Sequence, residues 1–372
     1  MEKLRVLQLT ERLDVGGLEQ VIATIATGLD RNRYDSGVWA LAGGGAMADR
    51  IRERGCPVRI LRCDTYHGVR PILALARQLR QAAPHIVHTH GYFAGTAGRI
   101  AAKIAGVPVL VHHVHSTNSQ YRRRNLLMER GLGRITAAVL CCSAAVAAFV
   151  REREGIAAAR TQVLPNGIAP PPAPVAQEEF LADFGLAADD QVVFCVASLQ
   201  PHKGQAALLR ATAAVAGRHP RLRLVLIGAG PLDGDLQRLA RQLGLGGRVV
   251  FAGLRTDVRR LLPHGCCLVL PSTVREGMGI AVIEAMAAGL AAIGSRLGGI
   301  PEVIEENGSG LLCEPGDVPG LAAALDRLLG DGRLRRRFGD RGRELYRQRF
   351  TDDAMLAQLT SCYEHHVAAA RR

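Results

Sequence analysis

The chain has 372 residues, too many for one ordinary hydrophobic core and suited to two domains. Hydrophobic residues make up 48%, which excludes a largely disordered chain. The net charge of +13 raises nucleic acid or a membrane surface as partners, but aromatics are only 4% and interleave with no basic stripe, so a basic nucleic-acid-binding protein is the weaker alternative and no nucleic acid is expected. Lysine occurs only at Lys3, Lys103 and Lys203, so the charge is almost all arginine; with the alanine excess it reflects compositional bias more than function.

From the N-terminus, MEKLRVLQLT reads as a strand, Leu4–Leu9, and not as a signal peptide, because its apolar part is short and no cleavage-like site follows. Gly16 and Gly17 then open a helical stretch, where backbone N–H groups face an anion and missing side chains allow close approach. Further strands are expected at Val38–Leu41, Val58–Leu61, Ile86–His90, Val109–His113 and Ala138–Cys142. The helix after Pro71 places Ile72, Leu75 and Leu79 on one face and Arg77 and Arg80 on another. The uncharged run from Ile135 to Val150 is too short for a membrane span and divides into a buried strand and a helix capped by Ser143. Nine scattered cysteines without CxxC spacing give no zinc signature and point to a reducing cytoplasm.

Histidines gather in this half at His85, His88, His90, His112, His113 and His115. Alternation places His88 with His90 and His113 with His115, but no carboxylate or cysteine accompanies them, so no metal ligand is assigned. His88, His90 and His113 are read as lining an acceptor site, with satisfied structural histidines as the alternative for His88 and His90.

The prolines of Ala169–Gln177 cannot continue a helix or a central strand and mark an exposed linker. Strands resume at Val192–Ala197, Leu222–Ile227, Val249–Phe251, Leu268–Leu270 and Ala291–Ile293. Such alternation of strands and helices predicts two α/β domains built on parallel sheets. Asp233-Gly234-Asp235 falls at a helix start, where acids favour the dipole over a metal. After Gly228-Ala229-Gly230 the third glycine of a dinucleotide fingerprint is displaced to Gly234, and Gly253 and Leu254 stand where its acid would follow the next strand, which argues against a dehydrogenase.

The most informative stretch is EGMGIAVIEAMAAG. Glu276 sits on a glycine-bearing loop after an apolar strand, and Glu284 lies within the helix which that loop opens, with Gly289 as its stop. A carboxylate on either side of an anion-binding helix start suits a molecule with hydroxyls on both sides of a phosphate, which is the shape of a nucleotide sugar.

The segment from Leu270 to Ile304 resembles the donor-site signature of retaining GT-B glycosyltransferases of the glycosyltransferase family 4 kind. LDVGGLEQVIATIATGLD, PVLVHHVHS, VASLQPHKGQ and the stretch from Leu224 to Val258 look like further segments of that family. The resemblance implies an α/β GT-B fold: two Rossmann-like domains with parallel sheets facing an inter-domain cleft. Residues 1–167 would bind the acceptor, 168–350 the nucleotide sugar, and 351–372 would form a helix crossing back, with Met355, Leu359 and Tyr363 on one side.

It further implies Glu276, His115 and Lys203 as catalytic residues, with His113 as the alternative to His115. Donor contacts would come from Gly16, Gly17, Ser198, Lys203, Leu254, Glu276, Gly277, Met278, Gly279, Ile280 and Glu284. Ser198 stands where the family carries an arginine, which leaves Lys203 as the assigned cation for the diphosphate. Arg122, first of three arginines, is the remaining acceptor candidate and would meet a lipid pyrophosphate or an anionic membrane surface. The implied enzyme is cytoplasmic, at the inner membrane face, without cofactor. It would use a UDP- or GDP-linked sugar, retain anomeric configuration and act on a glycan or lipid-linked hydroxyl in cell-surface polysaccharide or glycolipid synthesis. A nucleotide-sugar epimerase of the same fold is the alternative.

Overall fold

The computed structural model describes residues 3–63, 68–117 and 120–372. The chain divides into two compact units, Met1–Ala169 with Thr351–Arg372, and Pro170–Phe350.

The first unit holds a seven-stranded sheet of β1 (Leu4–Leu13), β2 (Tyr34–Gly44), β3 (Val58–Ile60), β4 (Ile86–His90), β5 (Val109–Val114), β6 (Ala138–Cys141) and β7 (Thr161–Val163). Their order is β3-β2-β1-β4-β5-β6-β7, and every ladder is parallel. Alternation along the central strands gives the sheet two unlike faces. Leu7, Leu9, Trp39, Leu41, Val87 and Leu110 pack into one apolar cluster. Gln8, His88, His90 and His113 are buried among the remaining central positions.

The helix Asp352–Ala370 belongs to this unit. Thr351 caps it by accepting from Ala354 N at 3.3 Å, and Met355, Leu359 and Tyr363 are buried. Burying each such side chain contributes roughly 1.5–3 kcal/mol, so this face alone anchors the helix. Tyr363 Oη reaches His88 Nδ1 at 2.7 Å, which ties the helix to β4.

The second unit holds a six-stranded parallel sheet of β8 (Gln191–Val196), β9 (Leu222–Ile227), β10 (Val249–Phe251), β11 (Cys267–Leu270), β12 (Ala291–Ser295) and β13 (Gly310–Cys313). Its order is β10-β9-β8-β11-β12-β13. Its core runs from Val193 and Leu224 in the sheet to Leu325 and Phe338 in the covering helices.

In both sheets the order reverses beside the first strand, between β1 and β4 and between β8 and β11. Ligands of open α/β sheets bind beyond the carboxyl ends of the strands at such a reversal.

Several boundaries differ from the expectations. β1 continues past Leu9 to Leu13 because, after a register shift between Thr10 and Arg12, it still pairs with Gly43 and Gly44 of β2. The short strands β7 and β13 carry no long apolar run. The segment expected as an exposed linker does lie at the boundary between the units and is exposed apart from half-buried Ala169 and buried Val175; two hydrogen bonds hold it, Val175 N donating to Arg260 O at 3.2 Å and Arg259 Nη2 to Pro170 O at 2.7 Å. Asp233 and Asp235 lie in the first turn of the helix Asp233–Gln242 without making a side-chain cap. Ser143 does cap its helix, accepting from Val146 N at 3.2 Å.

Candidate functional site

In the second unit, the strands flanking the reversal each end in a loop that carries part of the candidate site. β8 leads through Ser198 to Lys203, and β11 leads through Ser272 to Gly279. The two loops are stitched together by Thr273 N, which donates to His202 O at 2.8 Å. Gly204 makes this approach feasible: its φ is 74°, and a Cβ there would lie 1.9 Å from Pro271 O.

This contact brings Lys203 Nζ to 2.8 Å from Glu276 Oε2. Ser272 Oγ donates to the same oxygen at 2.8 Å, and Gly277 N to Oε1 at 3.1 Å. Burial by itself would raise the Glu276 carboxyl; Lys203, Ser272 and Gly277 N–H outweigh it and hold the group below the usual carboxylate range. Glu276 is therefore a fixed anion beside a fixed cation, with side chains 12% and 20% exposed.

Gly277, Met278 and Gly279 are buried, and Gly279, at φ 77°, precedes the helix Ile280–Ala288. Gly289 ends that helix as expected, at φ 79°. Glu284 lies one turn into it, where burial, opposed by Arg259, pushes its carboxyl up to about 7. Ser198 and Leu254 are exposed at the ends of β8 and β10. Ser272 was not singled out from the sequence, although it stands four residues before Glu276 in LPSTVREG.

In the first unit, Gly16 and Gly17 are exposed at the start of the helix Gly17–Gly28. Glu19 turns back over this start, close enough for its Oε2 to touch a Cβ placed on Gly16. Burial, with Asp14 adding to it, pushes the Glu19 carboxyl up to about 7 against the opposing helix N–H. This acid was missed too; its signal is the three-residue spacing from the cap position.

His115 follows β5, and burial lowers its imidazole to about 3. His115 Nε2 lies 3.0 Å from His90 Nδ1. His88, His90 and His113, expected to line an acceptor site, are at most 1% exposed, and their rings meet one another, Gln8 and Tyr363. Arg122 is exposed just before the helix Arg123–Gly133. Among the described residues, no helix is long and apolar enough to cross a membrane.

Two family models match, "Glycosyl transferases group 1" over residues 176–345 and "Glycosyltransferase Family 4" over residues 15–170. The "Putative glycosyltransferase EpsF" of Bacillus subtilis is 34% identical over 267 residues, 68% of each chain. The chain thus belongs to the group 1 glycosyltransferases of the glycosyltransferase family 4 kind.

The UDP-Gal:alpha-D-GlcNAc-diphosphoundecaprenol alpha-1,3-galactosyltransferase of Escherichia coli is 27% identical over 297 residues, 77% of this chain and 76% of that one. The N-acetyl-alpha-D-glucosaminyl L-malate synthase of Bacillus anthracis is 32% identical over 181 residues, but the match spans 49% of this chain and only 47% of that protein. Among solved structures, Anabaena Alr3699/HepE in complex with UDP-glucose superposes with a TM-score of 0.87 at 25% identity, covering 97% of this chain and 100% of that one. The fold is therefore GT-B, with two Rossmann-like parallel-sheet domains.

Proposed function

We propose that this glycosyltransferase moves a sugar from a UDP- or GDP-linked donor to a hydroxyl of a glycan or lipid-linked acceptor with retention of configuration. The reaction would serve polysaccharide or glycolipid assembly at the inner membrane face. The observation that carries this reading is the Lys203–Glu276–Ser272 cluster beside the start of the helix Ile280–Ala288. It offers one anion for sugar hydroxyls, and one cation and helix N–H groups for a diphosphate.

In this reading Glu276 accepts hydrogen bonds from the transferred sugar. Lys203 and the N–H groups beyond Gly277, Met278 and Gly279 offset charge on the departing diphosphate as the sugar becomes oxocarbenium-like. Ile280 starts that helix, Glu284 accepts from the ribose, and Ser198 and Leu254 lie along the phosphate and the base. Gly16 and Gly17 give backbone N–H groups to the donor, and His115 meets its sugar hydroxyls. Retention without an assigned nucleophile is accounted for by attack of the acceptor on the face the diphosphate leaves. Arg122 meets the acceptor's anionic part.

Glu276→Gln tests the assignment. It removes a charged acceptor worth roughly 1.5–3 kcal/mol, so turnover falls about ten- to a hundredfold while the free nucleoside diphosphate binds as before. Unchanged turnover would remove Glu276 from the mechanism.

A further inference from the structure

We propose that His88, His90 and His113 form a buried binding site for a divalent transition-metal cation, with Zn2+ as the best fit. The proposal stands apart from the donor-site reading, which does not use these three residues.

Geometry comes first. β4 and β5 pair in parallel with His90 opposite His113, and two-residue alternation adds His88 to the same face. One ring nitrogen from each of the three lies within 4.8 Å of the other two. Points that close lie at most about 2.8 Å from a common centre, so Zn–N bonds of about 2.0–2.1 Å need each ring to close by under about 1 Å.

The second observation is a set of buried nitrogens without partners. His113 is fully buried, yet neither Nδ1 nor Nε2 has a hydrogen-bond partner, and the same holds for His88 Nε2. Buried polar atoms are rarely left this way, because each loses its water without compensation. A cation at the centre of the cluster would satisfy one nitrogen from each ring.

The surrounding residues already hold two of the rings as ligands are usually held. Gln8 Oε1 lies 2.8 Å from His90 Nε2, and Gln8 Nε2 donates to Tyr363 Oη at 3.3 Å. An amide oxygen only accepts, so His90 carries its proton on Nε2 and leaves Nδ1 bare. That Nδ1 now faces His115 Nε2 at 3.0 Å, a contact that a bound cation would replace. Tyr363 Oη lies 2.7 Å from His88 Nδ1; with Nδ1–H donating to that oxygen, the bare nitrogen of His88 is Nε2, the tautomer a ligand requires. Three imidazoles without a carboxylate favour zinc, copper or nickel over magnesium or calcium.

The test is titration of the full-length, chelator-treated protein with Zn2+, followed by calorimetry and thermal unfolding, with Mg2+ as comparison. One tight equivalent and a raised Tm are expected with Zn2+ and neither with Mg2+. His113→Phe should abolish that equivalent and His88→Gln should weaken it at least tenfold. The double change His365→Asn with His366→Asn, at the adjacent pair outside the cluster, should leave it intact. X-ray absorption of the zinc-loaded unaltered protein guards against a His113 variant that fails to fold: it should show imidazole shells near 2.0–2.1 Å. A zinc–sulfur shell from the free cysteines, no stoichiometric binding, or full binding by folded His113→Phe would each overturn the site.

Discussion

Glu284 is a candidate site residue whose charge changes near neutral pH. Burial raises its carboxyl to about 7, so folding favours the protonated form. The stability this contributes is complete below the ordinary value of 4.5 and is lost as pH rises through about 7. In the proposed ribose role Glu284 accepts as the carboxylate, so ligand binding runs the other way. Affinity for a nucleoside diphosphate should rise about tenfold from pH 6 to pH 8, following the ionised fraction. Calorimetry of Glu284→Gln across that range should show the Glu284-dependent part gone, and the ligand-free variant should melt higher than the parent at pH 8. Equal pH dependence in both proteins would remove the ribose role.

Lys203→Ala leaves Glu276 without its cation, and burial then acts on that carboxyl unopposed by any lysine. Transfer should slow about ten- to a hundredfold, the range for a charged hydrogen bond. Adding Ser198→Arg, at the exposed end of β8, should recover part of the rate. Steady-state kinetics equal to the parent in Lys203→Ala would place the phosphate elsewhere.

Glu276 and Lys203 were legible as candidates because charged groups beside glycines just past a strand end have few structural reasons to be there, and the structure pairs them at 2.8 Å. Ser272 and Glu19 were not. A serine or a first-turn glutamate is ordinary in sequence, and only the tertiary approach of its loop shows what it touches. The histidines were legible as a face but not as a cluster. Alternation gives the direction of each side chain, whereas the register of β4 against β5 brings His90 beside His113.

At the scale of elements, the site depends on two loops held together at Gly204. Gly204→Ala puts a side chain into left-handed backbone and against Pro271 O, so the loops must part. The backbone term alone costs about 1–2 kcal/mol. A Tm lowered by about 2–4 °C for each kcal/mol is expected, together with a raised donor KM. Parent-like values of both would mean that the loop contact does not position Lys203.

The helix start at Arg122 to Arg124 gives a different prediction. All three arginines are exposed. Replacing them with glutamine should reduce binding to acidic vesicles by about two orders of magnitude, from roughly 1 kcal/mol per residue, while activity on a soluble acceptor survives. Flotation unaffected by the change would make the triplet a solvated surface feature.

Long buried strands were readable from apolar runs. The C-terminal limit of β1, set by a register shift against β2, and the existence of the edge strands β7 and β13 were not, since ladder pairing there needs no hydrophobic pattern.

For the whole molecule, both parallel sheets were foreseeable from the alternation of strands and helices, and each proves to reverse its order beside its first strand. Sequence reaches that far because local periodicity fixes element type. Strand order depends on long-range pairing and had to be seen. Reversal between β8 and β11 is what brings the Lys203 loop to the Glu276 loop, and the donor is proposed to bind the second unit at that point. Hydrogen–deuterium exchange with UDP and GDP in turn tests this most directly. The account predicts that at least one of them slows exchange in residues 198–204 and 271–284. Saturating binding that leaves both segments unprotected, or no binding of either, would contradict it.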